Sequence, residues 1–253
     1  MSAPTDRAID LSKGLPIGDE KSAAVRTMFD TISPRYDVVN RVMTFRMDVG
    51  WRKKAVQALG LPGGSRVLDL ATGTGDLCRD LEAAGIITIG MDFSFGMLHH
   101  ARTTAPLVQC DAQNLPVPSG SVDGVMCGFA LRNFTDLQQF FNEIGRVTRV
   151  GGRISLLDAA TPPNPLLRFG HGIYFGKVVP LIGGLLSDRS AYRYLPKSLA
   201  YMPEPGVLLD MVRRAGFSGV QRQLLHGGIA HLITGTRSAM DTSAMDTSAM
   251  VSP

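Results

Sequence analysis

The stretch RVLDLATGTGD, Arg66 to Asp76, constrains this chain more than any other. Val67, Leu68 and Leu70 form an apolar run of the kind found in a strand buried on both faces. The run passes through Gly73-Thr74-Gly75 into a helical pattern with Leu77, Leu81 and Ala84 on one side. Glycines at 73 and 75 let the backbone pass under a ligand with no Cβ in the way. About twenty positions further on, a second apolar run, TIGMD, ends in Asp92, where a carboxylate can accept the hydroxyls of a ribose. Strand, glycine turn, helix and distal acid together describe a nucleoside site.

A dinucleotide fingerprint asks for a third glycine at position 78, where the helix packs closely on the strand, and this chain has Cys78 there. That disfavours a nicotinamide oxidoreductase. Asp69, the Gly73-Thr74-Gly75 turn and Asp76 instead resemble motif I of the class I S-adenosylmethionine methyltransferases. The resemblance implies S-adenosyl-L-methionine as cofactor.

At 253 residues the chain has room for one sizeable α/β domain with an excursion. A hydrophobic content of 44% with 19% charged residues is that of a globular protein. The net charge of +4 is modest, and no dense Lys/Arg run with interleaved aromatics points to nucleic acid. Cys78, Cys110 and Cys127 lack metal-ligand spacing and read as reduced, buried thiols, so no metal is expected. The opening MSAPTDRAIDLSKG is polar and mixed in charge, unlike a secretory leader, and a cytoplasmic protein is expected. Residues 1–23 read as a leader and 24–237 as the domain. Residues 238–253, with the repeat SAMDTSAMDTSAM, read as a solvated tail.

Within the domain, Val25, Met28, Phe29 and Ile32 predict an entry helix that Pro34 ends before Tyr36 and Asp37. A second helix is expected over Met47–Leu59, with Trp51 as a core anchor and Arg52, Lys53 and Lys54 left to solvent. Ile86–Met91, LVQCDA, VDGVMCGFAL and RISLLDAA read as successive strands alternating with helices, the pattern of a parallel sheet covered on both faces. Ser94 and either Thr135 or Asp136 are expected as helix caps, and Gly151-Gly152 as a break. His99 and His100 read as surface residues. A hairpin, GVQRQLL and IAHLITGT, closes a doubly wound, seven-stranded, mostly parallel sheet whose last pair is antiparallel. Ligands gather at the carboxyl ends of such strands, so Asp69, Asp92 and Asp111 should share one crevice, with Asp111 placed for adenine.

The sheet has no need of residues 161–203. This insert carries Arg168, Lys177, Arg189, Arg193 and Lys197 against Asp188 alone, among apolar residues. It reads as a helical lid suited to a greasy substrate and to peripheral contact with an anionic membrane surface.

Several segments then resemble one family. MFDTISPRYDVVNRVMTFRMDVGW is similar to the first signature of the menaquinone/ubiquinone biosynthesis C-methyltransferases and RVTRVGGRISLLDAATP to the second, while FALRNFTD and AYRYLPKSL look like further family segments. The resemblance runs from Ala24 to Arg237. It implies methyl transfer to a ring carbon of a polyprenylated quinol of the demethylmenaquinol type. By position it implies cofactor contacts from Thr74, Asp92, Asp111, Ala112 and Gly128, beside Asp69, Gly73 and Gly75 of the turn. Four positions depart from the family pattern: Gly128 where many relatives have serine, Asp48 for histidine, Asp158 for glutamate and Ala130 for glycine.

A quinol carbon becomes nucleophilic when a ring oxygen loses its proton, so the site needs a base or a cation that stabilises the phenolate. Arg132 is the expected oxyanion partner, Tyr36 and Asp37 are expected to position substrate or water, and Asp48 is a candidate base. A methyltransferase for another lipophilic or phenolic metabolite, and a non-catalytic S-adenosylmethionine-binding partner protein, stay open as alternatives. So does homodimerisation.

Overall fold

The computed structural model describes residues 17–179, 181, 194 and 197–239. The stretch up to residue 16, most of the C-terminal repeat, and Asp188, Arg189 and Arg193 of the insert lie outside the described residues.

Helix α1 spans Gly18–Ile32, so it starts inside the expected leader. Asp19 and Glu20 occupy its first turn, where negative charge complements the helix dipole. Pro34 lies in a 3₁₀ turn, Ser33–Arg35, that bends the chain without unwinding it, and Tyr36 and Asp37 open helix α2, Tyr36–Met43. Helix α3 covers Met47–Leu59 as the pattern predicts, and Gly60 ends it with φ 63°.

The sheet contains β1 (Arg66–Leu70), β2 (Ile87–Asp92), β3 (Leu107–Gln109), β4 (Val122–Gly128), β5 (Thr148–Ala159), β6 (Phe217–Leu225) and β7 (Ala230–Arg237). Its order is β3-β2-β1-β4-β5-β7-β6. β7 runs antiparallel to both β5 and β6, and β1 to β5 are parallel. Between the strands lie α4 (Asp76–Ala83), α5 (Phe95–His99), α6 (Leu137–Val147), α7 (Pro165–Ile173) and α8 (Pro205–Arg214). Successive side chains of a strand point to opposite faces, so Val67 joins Trp51, Ala55, Leu77 and Leu81 beneath α3 and α4, while Leu68 and Leu70 join Phe140, Ile144 and Val212 beneath α6 and α8. A third cluster, with Val25, Met28, Ile32, Val39 and Met97, seats α1 and α2 against α5.

Local signals mostly hold. Ser94 Oγ accepts the Met97 N–H at 3.1 Å, and Asp136, not Thr135, caps α6 through the Gln139 N–H at 2.9 Å. Two boundaries differ. β3 stops at Gln109, short of Asp111. Gly151-Gly152 does not separate α6 from a strand, because β5 already begins at Thr148 and carries Gly151, at φ 78°, within it.

The close approach of α4 to the sheet has its own solution. Cys78 is buried, and a Cβ on Gly90 of β2 would lie 3.0 Å from Cys78 Sγ and 2.8 Å from Leu107 Cδ2. The room that a glycine at 78 would provide is provided by glycine on the strand.

Candidate active site

The strand order reverses between β1 and β4, and two cavities open at the carboxyl ends there. They share a wall formed by Tyr36, Ala71, Gly73, Gly128 and Phe129.

The smaller cavity, about 90 Å³, is lined by Gly73, Asp92, Asp111, Ala112 and Gly128, with Ser22, Val25 and Phe29 of α1 on its outer side. A Cβ built on Gly73, at φ 58°, meets no atom within 4 Å and would project into open space. Asp92 Oδ2 accepts the Gly73 N–H at 2.7 Å and its Oδ1 accepts the Ser94 N–H at 2.8 Å, so the acid ties the glycine turn to the end of β2. Burial outweighs these hydrogen bonds and raises its carboxyl to about 6. Asp111 Oδ1 accepts the Gln113 N–H at 2.9 Å. At Gly128 a Cβ would stand 2.7 Å from Leu77 Cδ1, so glycine there leaves α4 its leucine.

Two residues expected at the cofactor lie elsewhere. Asp69 is fully buried behind the turn, accepts from Thr72 Oγ1 at 2.5 Å, and lines neither cavity. Burial pushes its carboxyl up to about 7, and Oδ1 has no partner among the described residues. Gly75 also lines neither cavity. It precedes α4 at φ 81°, where a Cβ would press on Thr103 Cγ2 at 2.9 Å.

The larger cavity, about 430 Å³, is mostly apolar. Met43, Phe45, Met47 and Trp51 form one side, and Leu166, Leu167, Tyr174 and Phe175 of the insert form another. Trp51 is both buried and on the cavity wall, so anchoring the core and facing a ligand are not exclusive. Tyr36 lines both cavities, and its desolvated surroundings raise the phenol pKa. Arg132 is 6% exposed. It forms an ion pair with Asp158, donates from Nε to Ser198 Oγ at 3.1 Å and from Nη1 to Phe129 O at 2.8 Å, and leaves Nη2 without a hydrogen bond among the described residues.

Asp37 and Asp48 are committed to other partners. Asp37 accepts from Thr74 Oγ1 and faces an outer groove with Arg41, not the larger cavity. Asp48 lines the larger cavity, but Oδ1 accepts from Thr44 Oγ1 at 2.6 Å and Oδ2 from Arg52 Nη1 at 2.6 Å. Arg52 itself is buried rather than solvated. It also reaches Asp76 at 3.1 Å and Asp80 at 3.3 Å, because α4 presents both carboxylates to this face of α3.

Sequence reasoning missed two features. Phe45, Ala71, Phe129 and His226, all on the wall of the larger cavity, hold φ of 49°, 53°, 60° and 47°, a strained region for residues with side chains. Trp51 Nε1 donates to His226 Nδ1 at 2.6 Å across 175 positions of chain. The His226-Gly227-Gly228 turn is visible in the sequence as a hairpin end, but nothing local points it at Trp51. Among the described residues no cluster of three or more His, Cys, Asp or Glu could hold a metal.

The sheet order and its flanking helices are those of the class I methyltransferase fold. A SAM-dependent methyltransferase from Thermotoga maritima superposes with a TM-score of 0.60 at 19% identity, over 84% of this chain and 99% of that one. The model of the ubiE/COQ5 methyltransferase family matches residues 17–237, and the chain belongs to that family. It is 40% identical over 231 residues to the demethylmenaquinone methyltransferase of Roseiflexus castenholzii, covering 88% of this chain and 97% of the relative. It is 40% identical over 222 residues to the ubiquinone/menaquinone biosynthesis C-methyltransferase UbiE of Syntrophotalea carbinolica, covering 84% and 94%.

Proposed function

We propose that this enzyme methylates a ring carbon of a polyprenylated quinol of the demethylmenaquinol type, with S-adenosyl-L-methionine as donor. The observation that carries the reading is the junction of a small cavity bearing Asp92 and Asp111 with a larger apolar one across Gly73, Gly128 and Phe129. S-adenosylmethionine, when bound, would supply an electrophilic sulfonium methyl to the ring carbon and leave as S-adenosylhomocysteine, and the proton displaced from that carbon would pass to water.

The protein's work is placement and charge. Asp92 accepts the ribose hydroxyls, Asp111 and Ala112 flank the adenine, and open space over Gly73 lets the ligand lie on the backbone. Arg132, held by Asp158, directs Nη2 to the quinolate oxygen, where a fixed cation in a dry cavity is worth more than in water. Tyr36 positions the ring at the junction. With both oxygens engaged, Asp48 serves better as a brace for Arg52 than as a base, and Asp37 acts through Thr74 on the glycine turn. Proximity in such a pocket supplies up to about 7–11 kcal/mol in favourable cases.

The insert acts as a lid that meets the membrane surface. Leu166, Leu167 and Phe169 of α7 are 79%, 50% and 69% exposed; Phe45, which lines the same cavity as Leu166 and Leu167 and packs on Tyr174, is 71% exposed, and Arg46 and Lys177 are exposed as well. Among the described residues no helix is long and apolar enough to cross a membrane. An apolar, basic rim suits a prenyl tail that enters from an anionic surface.

Mass spectrometry of a reduced demethylquinone series, incubated with enzyme and methyl-labelled S-adenosylmethionine, tests the function. Label on the naphthoquinol ring is expected. Label only on another phenolic acceptor, or none despite cofactor binding, overturns the quinol reading. Sedimentation with anionic vesicles tests the rim, and Phe169→Asp should reduce the bound fraction.

A further inference from the structure

The larger cavity has its carboxylates tied to arginines, which leaves few polar atoms for a substrate. Asp48 and Asp76 are both paired with Arg52, and Arg132 spends Nε and Nη1 on Ser198, Phe129 and Asp158. A quinol carries two oxygens on opposite edges of its ring. Arg132 can meet one, so the other requires a partner elsewhere on the wall or is buried unsatisfied, at a cost of the order of a lost hydrogen bond.

His226 has the geometry for that partner. An indole N–H can only donate, so the 2.6 Å contact from Trp51 Nε1 makes Nδ1 of His226 the acceptor and puts the ring proton of the neutral imidazole on Nε2. Nε2 has no hydrogen-bond partner among the described residues, while the residue is exposed on the cavity wall. The indole is fixed in turn. Trp51 is 5% exposed and packs on the ring of Phe129, centroids 6.2 Å apart, and Phe129 lies on the wall shared by the two cavities. The imidazole is 5.6 Å from the indole, so an unbroken series of rings leads from the methyl-transfer junction to His226. The backbone at His226 is also held at φ 47°, just before two glycines that adopt such angles freely. Strain of this kind persists where the surroundings impose it, and here Trp51 imposes the ring's orientation.

We infer that His226 is a substrate-binding residue of this enzyme: Trp51 fixes its tautomer, and its Nε2–H donates to the quinol oxygen on the ring edge away from Arg132. The assignment rests on the quinol reading above. It concerns which ring edge is held, and therefore which carbon faces the methyl donor.

Trp51 is the single tryptophan of the chain, so its fluorescence reports the cavity wall directly and without turnover. The experiment titrates wild type, His226→Leu, His226→Gln and His171→Phe with a short-chain naphthoquinol, and in parallel with the same ring lacking its hydroxyls. Calorimetry with S-adenosylmethionine on each variant checks that the fold and the cofactor cavity persist. The expected result is a quinol affinity about three- to tenfold weaker in His226→Leu, the range of one neutral hydrogen bond. Affinity for the hydroxyl-free ring should be unchanged, and His226→Gln, whose amide can accept from Trp51 and donate onward, should recover most of the loss. Equal affinities of wild type and His226→Leu for the quinol overturn the assignment and leave the quinol reading standing. Loss of discrimination in His171→Phe alone moves the role to His171, whose Nε2 is also buried without a partner among the described residues. A wild type that binds S-adenosylmethionine but responds to no quinol overturns the quinol reading and this assignment with it.

Discussion

The two cavities are built in different ways. The smaller one is walled largely by turns that follow parallel strands, with Gly73, Asp92, Asp111 and Gly128 at the ends of β1, β2, β3 and β4 or just beyond, and α1 adds Ser22, Val25 and Phe29. The larger one shares the strand ends of β1 and β4 on one side and is otherwise walled by α2, α3 and α7 and by the turn between β6 and β7. Under the proposed function, nucleoside recognition falls chiefly to the strand ends, and acceptor recognition to the segments attached around them. A fold can keep the first and vary the second, because replacing α7 or the β6–β7 turn leaves the strand ends where they are.

Damage to one cavity should therefore leave the other working. The largest effect is expected at Arg132. Arg132→Ala should lower turnover by about 10²–10³-fold, the usual result of removing one charge-stabilising donor, with S-adenosylmethionine affinity unchanged. The substitution also strands buried Asp158, so a drop of about 3–5 kcal/mol in stability should accompany it. The double variant Arg132→Ala/Asp158→Asn separates the two effects: denaturant unfolding should show recovered stability, and the rate should stay low. Normal turnover of a short-chain quinol by Arg132→Ala would falsify its role.

Asp92 should show the converse. Asp92→Ala should weaken S-adenosylmethionine about 10–100-fold by calorimetry, as expected for lost hydrogen bonds to a charged group, with little effect on quinol-dependent fluorescence. Unchanged cofactor affinity would remove the ribose assignment. A smaller effect comes from pH alone. The ionised carboxylate is the form that accepts hydroxyls, and burial holds its titration at about 6, so cofactor affinity in the wild type should be level above pH 7 and decline as pH falls through 6. Asp92→Ala should lack that decline.

The smallest effect concerns Asp69, which serves the turn from behind. Its carboxyl titrates at about 7 in the folded protein, against about 4 when unfolded. Between those values the folded state binds more protons, so this residue's contribution to stability falls as pH rises from about 4 to about 7 and stays low above. Asp69→Asn carries no such charge. At pH 8 its Tm should exceed the wild type's, by about 2–4 °C for each kcal/mol of that contribution, and the difference should shrink toward pH 5. A Tm difference that does not depend on pH would show that the carboxylate is compensated in the folded protein.

Particular residues show how far the sequence could be read. The bounds of α3 agree with the pattern because Trp51, Ala55 and Leu59 recur at helical spacing and Gly60 supplies the left-handed stop. The start of α1 did not follow the apolar pattern, because its first turn is stabilised by acidic residues at a helix N-terminus, a signal that carries no periodicity. Arg52 looked solvated because its neighbours are lysines, yet three carboxylates from α3 and α4 converge on it. Asp69 and Asp92 looked equivalent as strand-end acids, but Asp69 points into the packing between β1 and α4, and Asp92 lies on a cavity wall. The Trp51–His226 contact had no local signature at all.

The sequence by itself determined the alternation of strand and helix, the glycine turn at 73–75 and the acids at the strand ends, since all of these follow from the chirality and spacing of neighbouring residues. Only the tertiary structure shows which acids line a cavity, which arginines are consumed in pairs and where the imidazoles stand. Those outcomes depend on desolvation and on pairing between distant segments: Arg52 has Asp48 one helical turn away, but Asp76 and Asp80 reach it from α4, and Trp51 meets His226 across 175 positions.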